Sequence, residues 1–422
     1  MAPARSSYYH PLMTPDVLII GGGLAGLCCG RELARRNIPF HILEASDGVG
    51  GRARTDVFDG FRLDRGMQNY LSSYPEGQRV LDYDALQLKA FSRALLVRHA
   101  GQFHRLADPK DEFATALASA FSPVGTLSDK LAAARLKGLA NTDPAAAPDE
   151  PTADFLRTTG VGPTMTARLF RPFLGSVFLE PDLATSARFF RFVYHLFGQG
   201  FASLPALGIG RIAEQLAGGL PAGAVRLNCP VAGITDRSVS LVSGENLTAK
   251  AVVIATDGPT AAALSGAIPA VGSNGTTTLY YAVDVSPRAE PILMLDGDGT
   301  GPASAVTVLS EVSREYAPAG KSLVAVSVIG IPAVDDAELD RKARVQLGEW
   351  FGPAVAGWRL LRVYRIRHAL PSQPVGALEP WERPVKLRDG LYVCGDHRDN
   401  ASINGAMVSG RRAAEAVATD LG

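Results

Sequence analysis

Asp16-Val17-Leu18-Ile19-Ile20-Gly21-Gly22-Gly23-Leu24-Ala25-Gly26 decides the fold of this chain, because it joins a short apolar strand to a helix through a G-x-G-x-x-G turn. Asp16–Ile20 reads as a strand of a parallel sheet, buried on both faces. A helix is predicted over Leu24–Arg36. Phe40–Leu43 is the next strand, and it stops on Glu44. Gly21 permits the tight turn, Gly23 lets the backbone approach a pyrophosphate, and Gly26 lets helix and strand pack closely. The helix N-terminus, with Leu24 and Ala25 in its first turn, offers free N–H groups and a positive dipole end to phosphates. Glu44, with Ala45 beside it, would accept hydrogen bonds from a ribose 2′-hydroxyl and repel a 2′-phosphate. A lone motif in a chain of 44 glycines says little. The strand before it, the helix after it and the acid about 20 residues on make it a dinucleotide site.

The next loop, Asp47-Gly-Val-Gly50-Gly51-Arg52-Ala-Arg54-Thr55, places two glycines and two arginines where phosphate oxygens can be met. Phe58-Asp-Gly-Phe-Arg-Leu-Asp64-Arg-Gly66-Met67-Gln68-Asn69-Tyr70 alternates like a hairpin and ends in a polar loop. Far along the chain, Gly390-Leu-Tyr-Val-Cys-Gly395-Asp396 is a short buried strand stopping at Gly-Asp. A helix starts near Asn404-Gly405-Ala406-Met407. Ala224–Ile234, containing Val231, and Ala251–Thr256, containing Ala255, are strand-like pieces between the two ends.

Together these stretches resemble the flavin-containing amine oxidase and phytoene desaturase superfamily. The resemblance implies an α/β fold: a discontinuous, glutathione-reductase-like FAD-binding domain with an inserted α+β substrate domain. The FAD domain would take residues 1–80, 205–272 and 385–422, and the substrate domain 81–204 and 273–384. It implies non-covalent FAD. Gly21, Gly23, Leu24, Ala25, Gly26, Glu44, Ala45, Gly50, Gly51 and Arg52 would contact it, with Val231 at the adenine, Ala255 on a strand of its sheet, and Gly66, Met67 and Gln68 near the isoalloxazine. Gly395, Asp396, Asn404, Ala406 and Met407 would complete the site. Asp396 would bind ribitol hydroxyls, and the helix behind Asn404 would face the negative charge of the reduced flavin.

Net charge is zero, from 42 basic and 42 acidic side chains, which gives no electrostatic case for nucleic acid. Cys28, Cys29, Cys229 and Cys394 form no C-x-x-C pair and no metal-ligand spacing, so no metal is expected, and a reducing, cytoplasmic compartment fits. Met1–Thr14 lacks the apolar run of a secretory signal, and no apolar stretch reaches the roughly 18 residues of a membrane span. Gly208-Ile-Gly210-Arg-Ile-Ala213 is a second G-x-G-x-x-A. It lacks a β-branched strand before it and an acid after it, so no second nucleotide is expected there.

The middle of the chain belongs to the substrate. Thr142–Pro151 reads as a linker, with Thr152 capping the helix that follows. The aromatics in Phe170–Phe178 and Arg188–Phe197 read first as helical core, and second as an apolar tunnel or a peripheral membrane contact. Thr276–Val285, Ala303–Val312, Ser322–Ile329 and Arg359–Arg367 are predicted to form an antiparallel sheet, with a helix near Asp336–Phe351. By the resemblance this sheet roofs the flavin.

The amine-oxidase branch carries a lysine on the first strand of that sheet and an aromatic cage. Here Thr276 falls at the lysine and Ser402 at a cage aromatic. Ala369–Gly376 offers no cysteine for covalent attachment. The expected activity is therefore hydride removal from a hydrophobic substrate, with oxygen or a quinone as electron acceptor. One alternative is an amine oxidase releasing imine and hydrogen peroxide, its cage built from Tyr280, Tyr364 or Trp381. Another is a non-catalytic FAD-binding protein. His397, Asp399 and Asn400 read as loop or cofactor-positioning groups. Arg365, Arg367 and His368 read as surface charges.

Overall fold

The structure is a computed structural model that describes residues 15–107, 122–139 and 143–422. Met1–Thr14, where no signal was expected, and Thr142, the first residue of the expected linker, lie outside the described residues.

Val17–Ile20 sits near the centre of a six-stranded sheet, ordered Val225–Arg226, Phe40–Leu43, Val17–Ile20, Ala251–Ile254, Leu391–Val393 and Lys386–Arg388. Every pairing is parallel except the last. Side chains alternate across a strand, and the sequence uses both faces. Val17 and Ile19 join the core under the helices Leu24–Arg35, Gly210–Gly218 and Ile403–Leu421. Leu18 and Ile20 face Val239 and Leu241 of a three-stranded antiparallel sheet. That two-sided burial explains the unbroken apolar run.

The first and last helices touch closely: a Cβ on Gly410 would lie 2.1 Å from the Ala25 carbonyl oxygen. Gly410→Ala must push the helices apart in a filled core. It is expected to cost about 1–3 kcal/mol and to lower the thermal midpoint, measured by circular dichroism with FAD present. An unchanged midpoint would show that the helices have room to shift.

A second sheet of seven strands is ordered Arg359–Pro371, Ser273–Val283, Ser322–Ile329, Ala305–Val308, Leu293–Asp296, Leu95–His99 and Gln102–Leu106. Leu279, Tyr281, Val324 and Val326 pack on Leu339, Ala343 and Leu347 of the helix Asp336–Phe351. The alternate residues Tyr280, Leu323 and Ala325 turn the other way, onto Phe61, Leu63 and Tyr316. Phe61–Asp64 pairs with Thr55–Phe58 across Asp59-Gly60, both with positive φ, as a two-residue hairpin turn requires.

The four predicted strand regions pair antiparallel as expected, and three further strands extend the sheet, with Leu95–His99 running parallel to Leu293–Asp296. Two expectations need correction. Ala303–Val312 is not one strand: the chain turns helical at Leu309–Val312 after Ala305–Val308. Thr152 is not a cap. It lies inside the helix after Pro151, and its hydroxyl donates to the Thr185 carbonyl at 2.7 Å.

The helices Thr152–Thr158, Arg171–Phe178 and Ala187–Gln199 share an aromatic core in which Phe170, Phe178, Phe189 and Phe190 are buried. Phe173, Phe192, Phe197 and Trp381 pack at its edge, half-buried. Among the described residues no helix is long and apolar enough to cross a membrane, and no group of His, Cys, Asp and Glu could hold a metal.

Candidate functional site

A cavity of about 460 Å³ opens at the carboxyl ends of the parallel strands. This is where ligands bind in doubly wound α/β sheets. Of the residues singled out in the sequence, Gly21, Gly23, Leu24, Ala25, Glu44, Ala45, Gly50, Gly51, Arg52, Gln68, Val231, Ala255, Gly395, Asp396 and Ala406 line it. Gly26, Gly66, Met67, Asn404 and Met407 lie off its wall.

Each of those five has another engagement. A Cβ on Gly26 would sit 2.0 Å from the Gly21 carbonyl oxygen, so this glycine serves helix–turn packing. Met407 is fully buried in the core. Asn404 Oδ1 accepts from the Glu76 N–H at 3.0 Å. The Met67 N–H donates to Thr278 Oγ1, and the Gly66 carbonyl accepts from the Tyr280 hydroxyl.

The wall is built by short-range constraint. The Gly50 N–H donates to the Gly22 carbonyl at 2.8 Å, which pins the Gly-Gly-Arg loop against the first turn. Glu44 is buried. One of its oxygens accepts from the Gly22 N–H at 2.6 Å, the other from the backbone and hydroxyl of Ser46 at 2.9 and 2.6 Å. The acid is thus fixed at the rim of the dinucleotide turn.

Arg52 ties three distant stretches together. Its Nη1 lies 2.7 Å from the Ala369 carbonyl oxygen and 2.8 Å from Asp396 Oδ2. Burial works against the guanidinium charge, but the Asp396 carboxylate outweighs it and raises the pKa. Gln68 Nε2 donates to the Arg52 carbonyl at 2.8 Å and so braces the same loop.

Two helix N-termini point at this space. Gly23 begins the helix Leu24–Arg35 with no side-chain cap and no acid in the first turn, which leaves its N–H groups for a ligand. Ser402 caps Ile403–Leu421, its hydroxyl oxygen accepting from the Gly405 N–H at 3.0 Å. Ser402, Ile403 and Ala406 line the cavity. A Cβ built on Gly23 would meet nothing within 4 Å. An open cradle at an uncapped helix start, an acid at the ribose position and a second helix start opposite fit a bound FAD.

Residues that the sequence reading did not name as cofactor contacts also line the cavity. Thr256, Asp257 and Thr260 follow the Ala251–Ile254 strand, and Ala369 and Leu370 come from the roof strand. His368, read as a surface charge, is exposed but also lies on the cavity wall. Its strand runs on to Pro371, past the expected end at Arg367, and so carries it to the cavity wall.

Several candidates for chemistry are engaged elsewhere. The Tyr280 hydroxyl donates to the Asp64 carbonyl at 2.8 Å, and Tyr364 donates to Asp56 Oδ2 at 2.7 Å. Thr276 Oγ1 donates to the Val328 carbonyl at 3.2 Å. Cys28 is buried, and burial pushes its thiol up to about 12, far from a thiolate nucleophile.

The chain matches the flavin containing amine oxidoreductase family over residues 24–418. It is 40% identical to polyamine oxidase 4 of Oryza sativa subsp. japonica over 52 residues, 12% of this chain and 11% of that protein. It is 41% identical to the carotenoid 3,4-desaturase of Haloarcula japonica over 56 residues, 13% of this chain and 11% of that protein. The chain thus matches only about a ninth of the length of either relative. Cyclohexylamine oxidase from Brevibacterium oxydans IH-35A superposes with a TM-score of 0.73 at 18% identity, covering 97% of this chain and 99% of that one. That likeness carries the fold.

Proposed function

This chain belongs to the flavin-containing amine oxidoreductase family and is an FAD-dependent oxidoreductase, and from that premise we propose that it removes a hydride from a C–H bond of a hydrophobic substrate. FAD, when bound, supplies the two-electron acceptor. The protein's own residues hold the dinucleotide at the Gly21–Gly26 turn, fix its ribose at Glu44 and its ribityl chain at Asp396, and roof it with the second sheet. Residues 1–80, 205–272 and 385–422 form the FAD portion in this reading; 81–204 and 273–384 form the substrate portion.

The observation that carries the reading is the state of the Thr276 strand. At the position where the resemblance places the lysine of the amine-oxidase branch, this chain has a threonine engaged with its neighbouring strand. The phenols of Tyr280 and Tyr364 are tied to backbone and carboxylate, and Trp381 packs against Phe192 at a 5.8 Å centroid distance. A substrate cation is held by aromatic faces turned toward it, and Tyr280, Tyr364 and Trp381 are not among the residues that line the cavity. Leu370 of the cavity wall, by contrast, packs on the aromatic core of the substrate helices. An apolar substrate matches that surface.

The polyamine oxidase match keeps amine oxidation as the second reading. Anaerobic mixing separates the two. Isoprenoid-like donors are expected to bleach the visible flavin band, and mono-, di- and polyamines to leave it unchanged. Bleaching by an amine, with peroxide formed on readmitting air, would replace the first reading by the second. Reoxidation by oxygen or by a quinone then identifies the acceptor.

A further inference from the structure

The second glycine motif, Gly208-Ile-Gly210-Arg-Ile-Ala213, where no second nucleotide is expected, has glycines that the packing itself requires. A Cβ on Gly208, at φ +102°, would come within 2.5 Å of the Thr55 side chain. One on Gly210 would lie 3.0 Å from the Thr55 nitrogen. The Ala213 methyl is 3.1 Å from the place where Gly50 would carry a Cβ. The helix Gly210–Gly218 is therefore packed directly on the Gly50–Thr55 loop, which forms part of the cofactor wall.

The acceptor at this helix start comes from the protein itself. Asp64 Oδ1 accepts from the Ile209 N–H at 3.1 Å and from the Thr55 hydroxyl at 2.6 Å. The Gly210 N–H donates to Thr55 Oγ1 at 2.9 Å. On the far side, Asp64 Oδ2 accepts from the Tyr316 hydroxyl at 2.7 Å. The Asp64 carboxylate is 1% exposed. Directly after it, the chain runs through Arg65 and Gly66 to Gln68, which lines the cavity and braces the Arg52 carbonyl.

We propose that Asp64 is a positioning residue of the FAD site: the buried hydrogen-bond acceptor on which the 208–213 turn is built, holding the Gly50–Thr55 loop and the Gly66–Gln68 segment against the cofactor. The proposal rests on FAD binding alone and is independent of which substrate is oxidised.

Two isosteric changes at the same carboxylate test it. Thr55→Val removes the hydroxyl on the cofactor-loop side, and Tyr316→Phe removes the one on the far side. Thr55→Val deletes two hydrogen bonds, the one donated to Asp64 and the one accepted from the Gly210 N–H, whereas Tyr316→Phe deletes one, so each variant is read at the same interval below its own thermal midpoint. FAD release is followed by flavin fluorescence after dilution of the holoprotein, well below either thermal midpoint. Thr55→Val is expected to release FAD about tenfold faster, the effect of roughly one hydrogen bond, and Tyr316→Phe at close to the wild-type rate. Asp64→Asn is expected to stay near wild type, because its Oδ1 still accepts from Thr55 and Ile209 while the Tyr316 hydroxyl turns to accept from its amide. Equal acceleration in Thr55→Val and Tyr316→Phe would mean that release merely follows stability. No acceleration in Thr55→Val would mean that Asp64 holds only the fold. Either result overturns the proposal.

Discussion

Gly23→Glu is expected to yield a folded but colourless protein. Gly23 has φ −73° and ψ 179°, extended backbone that any residue can adopt, and open space where its side chain would be. Nothing within the polypeptide therefore asks for glycine here. The requirement comes from the ligand: a side chain at this point would fill the space through which the pyrophosphate reaches the helix start. A glutamate adds a carboxylate that takes the same N–H groups and repels the phosphates, while helping the helix it begins. The loss of FAD affinity should be at least about 100-fold, or ~2.7 kcal/mol, with far-UV circular dichroism like that of the wild type. The ratio of flavin to protein absorbance after purification reads the result. The neighbouring glycines should behave differently. Gly21 has φ +109°, and a Cβ on Gly26 would overlap the Gly21 carbonyl, so Gly26→Val should lose the fold along with the flavin. A Gly23→Glu protein that stays fully yellow would remove the basis for placing the pyrophosphate at this turn.

What the sequence made legible was what depends on neighbours along the chain. Val17–Ile20 shows as an unbroken apolar run because both its faces are covered, and the Asp59-Gly60 turn shows because few other pairs tolerate two positive φ values. The Gly-Gly-Arg loop shows because it directly follows Glu44. Features fixed by distant partners stayed hidden. The parallel pairing of Leu95–His99 with Leu293–Asp296 joins residues some 200 positions apart, and no local period records it. At Leu309–Val312 the apolar run continues unchanged while the backbone turns helical, so periodicity cannot separate it from the strand before it. Met67, Asn404 and Met407 sit next in sequence to residues that line the cavity, and Gly66 two positions from one. Their own groups point to Tyr280, Thr278, Glu76 and the core instead. Asp64 entered the sequence reading only as the end of the strand that precedes Arg65-Gly66, with no role of its own, because an acid closing a hairpin is ordinarily a solvated residue. Only the arrival of Thr55, Ile209 and Tyr316 in space makes it a hub.

That hub makes the protein's stability depend on pH in an unusual direction. Burial pushes the Asp64 carboxyl from its ordinary 3.8 up to about 6, and the hydrogen bonds from Thr55, Tyr316 and Ile209 only partly offset the shift. Between those two values the folded protein holds a proton that the unfolded chain has lost. Stability from this group is therefore fully present below pH 3.8 and declines as pH rises through 6. The difference is about 3 kcal/mol, from ~1.4 kcal/mol per unit. Most buried carboxylates that pair with a cation act the other way. Here the hydrogen-bond partners among the described residues are neutral: Oδ1 and Oδ2 meet a hydroxyl, a backbone N–H and a phenol. Asp64→Asn has no proton to lose and keeps acceptors and donors matched. Urea unfolding of both holoproteins from pH 4 to pH 8 isolates the group, since all other titrations are shared. The stability of wild type relative to Asp64→Asn should fall by about 2–3 kcal/mol across that range, with the steepest change between 3.8 and 6, at about pH 5. Asp64→Ala should be less stable than either at every pH, by about 3–5 kcal/mol, because it leaves three buried donors without an acceptor. A difference between wild type and Asp64→Asn that is flat with pH, or that rises with it, would show that the three donors hold Asp64 ionised and that burial does not govern its charge.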